Sequence, residues 1–473
     1  MNIDYKPSNE RRSFDIDIST RHENAPTDYA PDDVQKKSRN LEDPEWAIQQ
    51  KRYLRKLDFI ILPMISLLYF FEYLDRGNIG NAKLYGFDDG HSTVSEGIGP
   101  GTKSLTPTQW QLTCVAYNYA GALVCRLFLG IFEGLFGTGI VYYLSLWYHR
   151  SEMGVRVFWF LGPTAIAGAF GGLMAYGIGH IDSETPIWKW LFLIEGVPGL
   201  CLGILCLWWI PDRPSKNSRF SGRYQEIAEA RYHSESFDVA GKIQLKHILL
   251  PVTDWRLYLQ VAVYLPTAGM LSSISGFLPT VVRDLGYHEP TKANLMTVPP
   301  YACAFVLMYI FAWSSDHYRE RGFHCAALAT VTAIAYALLA FLPESQLHGK
   351  YACICIAVAC VYATYSPSHA WAANNFGNET KRAVGMGLYT ALGNLGSIAG
   401  TWFYPTTDAP QFRKGHAVCM GLAIATASFA LINSFALKAV NSHRDKKYGK
   451  PEPGISIDVT ELADDSPHFR FIT

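Results

Sequence analysis

The sequence predicts an all-α polytopic membrane protein, and three observations carry that reading. Apolar residues, 49% of the 473, gather in blocks of about 20, the length at which one helix crosses a hydrocarbon core of roughly 30 Å. Short polar or basic loops separate the blocks. Inside one block lies Arg126-Leu-Phe-Leu-Gly130-Ile-Phe-Glu133-Gly134. A charge at that depth costs roughly 2.5 to 3.5 kcal/mol on insertion scales and by default marks a substrate or ion pathway.

The elements follow in chain order. Residues 1–50 are polar, lack the apolar core of a signal peptide, and read as a disordered cytoplasmic tail. A shortened N-terminal helical half of about four helices fills 51–212. Its first span, 57–74, follows Lys51, Arg52, Arg55 and Lys56, a basic flank that stays in the cytoplasm. Residues 77–108, rich in Gly, Ser and Asp, form an external loop. A long apolar run covers 109–148, and spans at 157–181 and 190–210 complete the half. The polar, basic stretch 213–253 is a cytoplasmic central loop. A C-terminal half, 254–438, holds six spans at 257–282, 293–315, 324–343, 351–374, 383–404 and 416–438. Residues 439–473, with Arg444, Lys446, Lys447 and Lys450, form a second cytoplasmic tail.

Two cytoplasmic ends require an even number of crossings. The 109–148 run would be about 60 Å long as one helix, twice the bilayer core. Two separate spans there would break the parity, whereas one long or kinked helix keeps it. The expected count is therefore about ten, four and six.

Composition narrows the function. Lys plus Arg and Asp plus Glu both number 41, so nothing points to a nucleic-acid partner. The ten cysteines form no CxxC pair and no Cys/His metal spacing, and Cys353-Ile-Cys355 reads as a pair of ordinary thiols. There is no phosphate-cradling glycine loop, zinc spacing or nucleophile elbow. Neither an enzyme nor a cofactor or metal site is expected.

Several blocks resemble the major facilitator superfamily, and within it the fungal anion:cation symporter group that includes allantoate and nicotinic acid permeases. They include Leu74-Asp75-Arg76-Gly-Asn78, Arg126…Gly130…Glu133-Gly134…Tyr142-Tyr143-Leu144-Ser145-Leu146-Trp147-Tyr148, and Trp190-Leu-Phe192-Leu-Ile-Glu195-Gly196. Further blocks are Phe277-Leu278-Pro279-Thr280, Ser315-Asp316-His-Tyr-Arg319, Trp371-Ala-Ala-Asn374 and Gly393-Asn394-Leu395-Gly396. Together they cover most of 50–440. The resemblance implies two helical halves that rock about a central site and carry a small organic anion with protons through the plasma membrane of a fungal cell, as a monomer.

The resemblance also implies twelve helices, and here the chain departs. Thr106-Pro-Thr-Gln109-Trp110 resembles the start of the group's second helix, while Ala120-Gly121…Arg126 already resembles its fourth. Most of helix 2 and all of helix 3 are expected to be missing, with the first Asp/Arg gating motif between them. Thr138 stands where the group usually has proline.

Candidate residues fall into three roles. Glu72 and Arg76 are spaced i,i+4 and can pair. The resemblance implies that Arg76 attracts the anionic substrate, for which a planar guanidinium fork suits a carboxylate. Headgroup anchoring is the alternative. Arg126 and Glu133 lie two turns apart on one face with Gly130 between them. Such a pair can alternate between a protonated state and an ion pair, and related organic-anion carriers look similar here. A structural salt bridge is the alternative. Proton coupling is thus expected at Glu133, Glu72 and Asp75. Substrate binding is expected at Arg76 and Arg126, with Trp371, Asn374, Asn394 and Tyr404 as a polar-aromatic face for a flat heteroaromatic or ureide anion. Asp316, Arg319 and Arg321 resemble the surviving gating motif and are expected to latch the cytoplasmic side. Gly130, Gly134, Gly137, Gly139, Gly162, Gly168, Gly171 and Gly172 are expected to let helices approach closely, and Pro299-Pro300 to kink a span.

Two other readings stay open. The chain could be a shortened isoform or gene-model product without transport activity, acting at most as a membrane binding or sensing protein, or a passive channel.

Overall fold

A computed structural model describes residues 44–84, 119–178, 187–211, 220, 222–237, 245–287, 289–343, 345–451, 457–459 and 462–473. Residues 1–43 of the expected N-terminal tail, most of the external loop and positions 109–118 lie outside the described residues, while 44–50, expected as disordered tail, are helical. The chain divides into two compact units, Met1–Arg55 and Lys56–Thr473. In the first, the described residues are opening helical turns, where Gln49 donates to Glu45 at 2.9 Å. The remainder concerns the second.

Helices dominate. Those before the central loop, the leading helices, are α1 (Pro44–Leu84), α2 (Tyr119–Trp147), α3 (Met153–Leu161), α4 (Pro163–Ile178) and α5 (Ile187–Trp209). The loop carries α6 (Arg223–Glu235), β1 (Ser236–Phe237) and the single turns α7 (Leu245–Ile248) and α8 (Leu250–Thr253). The trailing helices are α9 (Trp255–Leu285), α10 (Pro290–Leu295), α11 (Val298–Tyr318), α12 (Gly322–Phe341), α13 (Leu347–Asn374), α14 (Glu379–Gly400) and α15 (Arg413–Tyr448), followed by β2 (Ile457–Asp458). Among the described residues, eight helical stretches are long and apolar enough to cross a membrane. Helices α5 and α14 stand beside them at 23 and 22 residues. The 109–148 run is helical from Tyr119 onward.

Local chemistry sets the boundaries. Asp254 caps α9 by accepting from the Arg256 amide at 3.0 Å, and Asn378 caps α14 by accepting from the Lys381 amide at 2.8 Å. The span expected at 157–181 is broken into α3 and α4 at Gly162-Pro163, where proline has no amide to continue the ladder. The expected kink at Pro299-Pro300 is corrected: both prolines occupy the first turn of α11, where no amide partner is needed.

The glycines sort into two kinds. A Cβ at Gly168 would strike the Tyr301 ring, and one at Gly172 the Thr297 hydroxyl and Asn294 carbonyl, so α4 approaches the α10–α11 corner as expected. Gly396 lies against the Leu265 carbonyl and Gly393 against Tyr264, which brings α14 onto α9. Gly130, Gly134, Gly137 and Gly139 have nothing within 4 Å of a built Cβ. The first three line a cavity instead of a helix contact.

Candidate functional site

Helix α1 presents Tyr69, Glu72, Tyr73 and Arg76 at spacings of three and four, which is one helical face. That face lines a cavity of about 520 Å³ between the leading and trailing helices. Helix α2 adds Gly130, Glu133, Gly134 and Gly137; α9, α13 and α14 close the far wall.

The leading wall is charged. Arg76 donates to Glu133 at 2.7 Å and to Glu72 at 3.4 Å. Its side chain is 44% exposed, whereas those of Glu72 and Glu133 are 12% and 14% exposed. The guanidinium therefore opens to the cavity while its two carboxylates are largely enclosed. Glu133 thus meets Arg76 of α1, a pairing across helices that the spacing within α2 did not suggest. The side chain of Arg126 lies outside the described residues.

The trailing wall is neutral and aromatic. Tyr264, Tyr362, Tyr365 and His369 are buried there. Two tyrosine pairs bridge the cavity's walls, Tyr69 with Tyr365 at 3.2 Å and Tyr73 with Tyr362 at 2.7 Å between hydroxyl oxygens. The Tyr264 hydroxyl donates to the Asn394 side-chain oxygen at 2.7 Å. Its ring stacks on Tyr389 at 5.0 Å, and His369 meets both rings edge-on at 4.6 and 5.2 Å. Nδ1 of His369 sits 3.0 Å from the Tyr365 carbonyl.

Other expected site residues lie elsewhere. Trp371 is fully buried away from the cavity, its indole N–H donating to the Ile472 carbonyl at 2.8 Å. Asn374 donates to the Arg150 carbonyl at 3.0 Å, so its amide joins leading to trailing helices. Tyr404 packs on Phe412 and His416, lining a separate small recess with Ile274 and Tyr336. These three are not part of the cavity wall, because their polar atoms or rings are engaged by other partners. Asp75 of α1 is not among the residues that line the cavity. Glu195 is 1% exposed, and neither of its carboxyl oxygens has a hydrogen-bond partner among the described residues.

The gating residues divide. Asp316 accepts from the Gly154 amide at 3.0 Å and the Val155 amide at 2.8 Å. These are first-turn amides of α3, left without partners inside the helix and drawn to a negative charge. Arg321 holds the same carboxylate at 2.7 Å. A Cβ on Gly154 would collide with that carboxylate, so glycine is required for the approach. Arg319 does not join the cluster. It ends α11 in the left-handed conformation, φ 52°, with its side chain outward.

Asp254 lies just outside the spans in a buried network: Lys381 reaches it at 2.7 Å and Asp464 at 2.6 Å, and Arg256 reaches them at 2.7 and 2.9 Å. Burial works to raise the Asp254 carboxyl, but hydrogen bonds from Arg256 and attraction to Arg256 and Lys381 outweigh it and hold it below the usual range.

Two groups of membrane-length helices around one polar cavity are the architecture of a membrane transporter. The family model of the Major Facilitator Superfamily matches residues 107–401, and the chain belongs to that superfamily. The MFS transporter prlL of Fungal sp. (strain NRRL 50135) is 33% identical over 456 residues, covering 88% of this chain and 91% of the relative. The high-affinity nicotinic acid transporter of Saccharomyces cerevisiae is 25% identical over 461 residues, covering 89% and 85%. Among solved structures, the proton:xylose symporter XylE bound to 6-bromo-6-deoxy-D-glucose aligns with a TM-score of 0.52 at 16% identity, over 84% of this chain and 81% of that one. That likeness concerns the fold alone.

Of the α1 face, the i,i+4 spacing picked out Glu72 and Arg76, while Tyr69 and Tyr73 on the same face were not singled out. The tyrosine wall was missed, although Tyr362, Tyr365 and His369 share one face of α13 by the same spacing rule. Glu195 entered only as part of a resembling block, and its burial was legible in the apolar run around it.

Proposed function

We propose that the chain is a symporter importing a small organic anion, a nicotinate-, allantoate- or other vitamin-like carboxylate, together with protons across the plasma membrane, with both tails cytoplasmic. One observation carries this reading: a single guanidinium, open to the cavity, is held by two enclosed carboxylates. With all three groups ionised, the cluster carries one net negative charge and repels an anion. An incoming carboxylate can take the Arg76 fork only as Glu133, its 2.7 Å partner, gives it up. A carboxylate that loses its cation in a buried site is far more stable protonated. Anion and proton therefore bind together. The neutral wall, with Tyr264 and Asn394, accepts the rest of the substrate.

Rocking of the two helix groups then exposes the cavity on the other side. Asp316, Arg321 and the α3 amides hold the side carrying the central loop and C-terminal tail closed, which leaves the outward-facing state. Likeness to a nicotinic acid transporter supports nicotinate as the first compound to try.

A second reading, a shortened chain without transport, is favoured by one observation. The alignment with prlL runs over 456 residues, more than 88% of 473 residues can supply, so the relative carries internal sequence absent here. Leu127, Phe128, Ile131, Phe132 and Leu135 also leave one face of α2 exposed, a face that either lipid or further helices would cover.

The test is uptake of labelled nicotinate and allantoate in cells lacking their own carriers, with and without a pH gradient. This chain is compared with one in which the two-helix segment is restored from a relative. Gradient-dependent uptake by both supports the symporter. Uptake only by the restored chain selects the second reading, and uptake indifferent to the gradient removes the coupling.

A further inference from the structure

The segment from β2 to Thr473 is bound as closely as a strand in a sheet. β2 pairs in parallel with β1 of the central loop. Val459, Phe469 and Phe471 are buried in one core with Trp371, Cys325 and Leu437. Asn441 of α15 donates to the Phe471 carbonyl at 2.8 Å and accepts from its amide at 2.9 Å. Asn375 does the same for Ile472, at 3.0 and 2.9 Å. The Arg321 amide donates to the Thr473 carbonyl at 2.7 Å. Two asparagine side chains thus imitate ladder partners, and apart from the β1 pairing these bonds come from residues of the trailing half.

One leading residue also reaches this segment. The Arg150 guanidinium lies over the Phe469 ring at 4.4 Å and donates to the Arg470 carbonyl at 3.3 Å. It also donates to the Asn374 carbonyl, and the Asn374 side chain returns a bond to the Arg150 carbonyl at 3.0 Å. Arg150 lies four residues before Gly154, whose amide is held by Asp316. The contacts on the two residues must break together when the leading helices swing away.

We propose that Arg150 and Phe469 form a second gate, in which the docked C-terminal segment supplies the surface that the leading helices close upon. Asp316 latches the start of α3 from one side, and Phe469 with Arg470 latches the preceding turn from the other. Phe469 is a positioning residue: it acts through Arg150 and touches no cavity-lining group. The proposal rests on alternating access and is independent of which solute is carried.

Hydrogen–deuterium exchange on the full chain in nanodiscs tests it, read in the peptide covering residues 148–156. Phe469→Ala removes the ring, and Arg150→Gln removes the cation without touching the buried core. Each is expected to speed exchange there by roughly two- to tenfold, the scale of one partly desolvated cation–aromatic contact. Phe469→Tyr keeps the ring face and is expected to exchange as the unaltered chain does. Unchanged exchange in Arg150→Gln would overturn the gate, as would Phe469→Tyr behaving like Phe469→Ala. Either result would mean that the segment only completes the core of the trailing helices.

Discussion

The two walls of the cavity are built from different chemistry. The leading wall concentrates its charge in Glu72, Arg76 and Glu133. The trailing wall offers tyrosines, His369 and Asn394, bonded among themselves. The contrast teaches a division of labour. Charge pairs respond to protons and to an anion, whereas neutral aromatic and amide groups respond to shape and to single hydrogen bonds. Coupling should therefore fail when the leading wall is altered, and selectivity when the trailing wall is.

Arg76→Ala should break the contrast most severely. Truncating one partner of a desolvated, hydrogen-bonded charge pair costs about 2–5 kcal/mol, and Arg76 is partly exposed, so the low end applies and uptake should fall by roughly 30-fold or more. Arg76→Lys should recover little, since an ammonium cannot offer the planar fork. Initial rates of labelled nicotinate uptake measure both, and near-normal transport in Arg76→Ala would remove the anion site from α1.

On the opposite wall, Asn394→Ala deletes one neutral hydrogen-bonding side chain. Its expected effect is a rise in KM of about three- to tenfold, the scale of one such bond. The response to the pH gradient should stay intact. A loss of gradient dependence in this variant would mean that coupling is spread over both walls.

A smaller effect concerns the acidic groups outside the cavity. Asp254 is held below its usual range by Arg256 and Lys381. A depressed carboxylate contributes stability that is full above its unfolded value, near 3.9, and lost as pH falls through its folded value. Acidification from pH 7 to 5 should thus change uptake yet leave the protection of residues 457–473, exchange relative to the intrinsic rate at each pH, unchanged. Release of that segment at pH 5 would show that proton chemistry is not confined to the leading wall.

The fold was largely legible, since hydrophobic blocks and basic flanks locate membrane helices without knowledge of their neighbours. The site was legible only where one helix carries it. Glu72 and Arg76 share a face that their spacing reveals, and Tyr69 and Tyr73 lie on that face without having been singled out. Contacts between distant segments were not legible: Glu133 could be paired with Arg126 by spacing, but its partner is Arg76, 57 positions away. Trp371 and Asn374 looked like binding groups because an aromatic ring with an amide suits a flat anion, but both are engaged within the protein. Their partners are Ile472 and Arg150, supplied by a tail that composition reads as solvent-exposed and by a loop arginine. Arg319 resembled the motif, yet the left-handed turn at the end of α11 points it outward.

The central claim is that an anion reaches Arg76 only as a carboxylate takes a proton. It is tested most directly by Glu133→Gln in proteoliposomes, comparing gradient-driven accumulation of labelled nicotinate with exchange between equal concentrations on both sides. Glutamine resembles the protonated acid and cannot release a proton. The account predicts that exchange persists while accumulation driven by the pH gradient disappears. Undiminished gradient-driven accumulation in Glu133→Gln would contradict it.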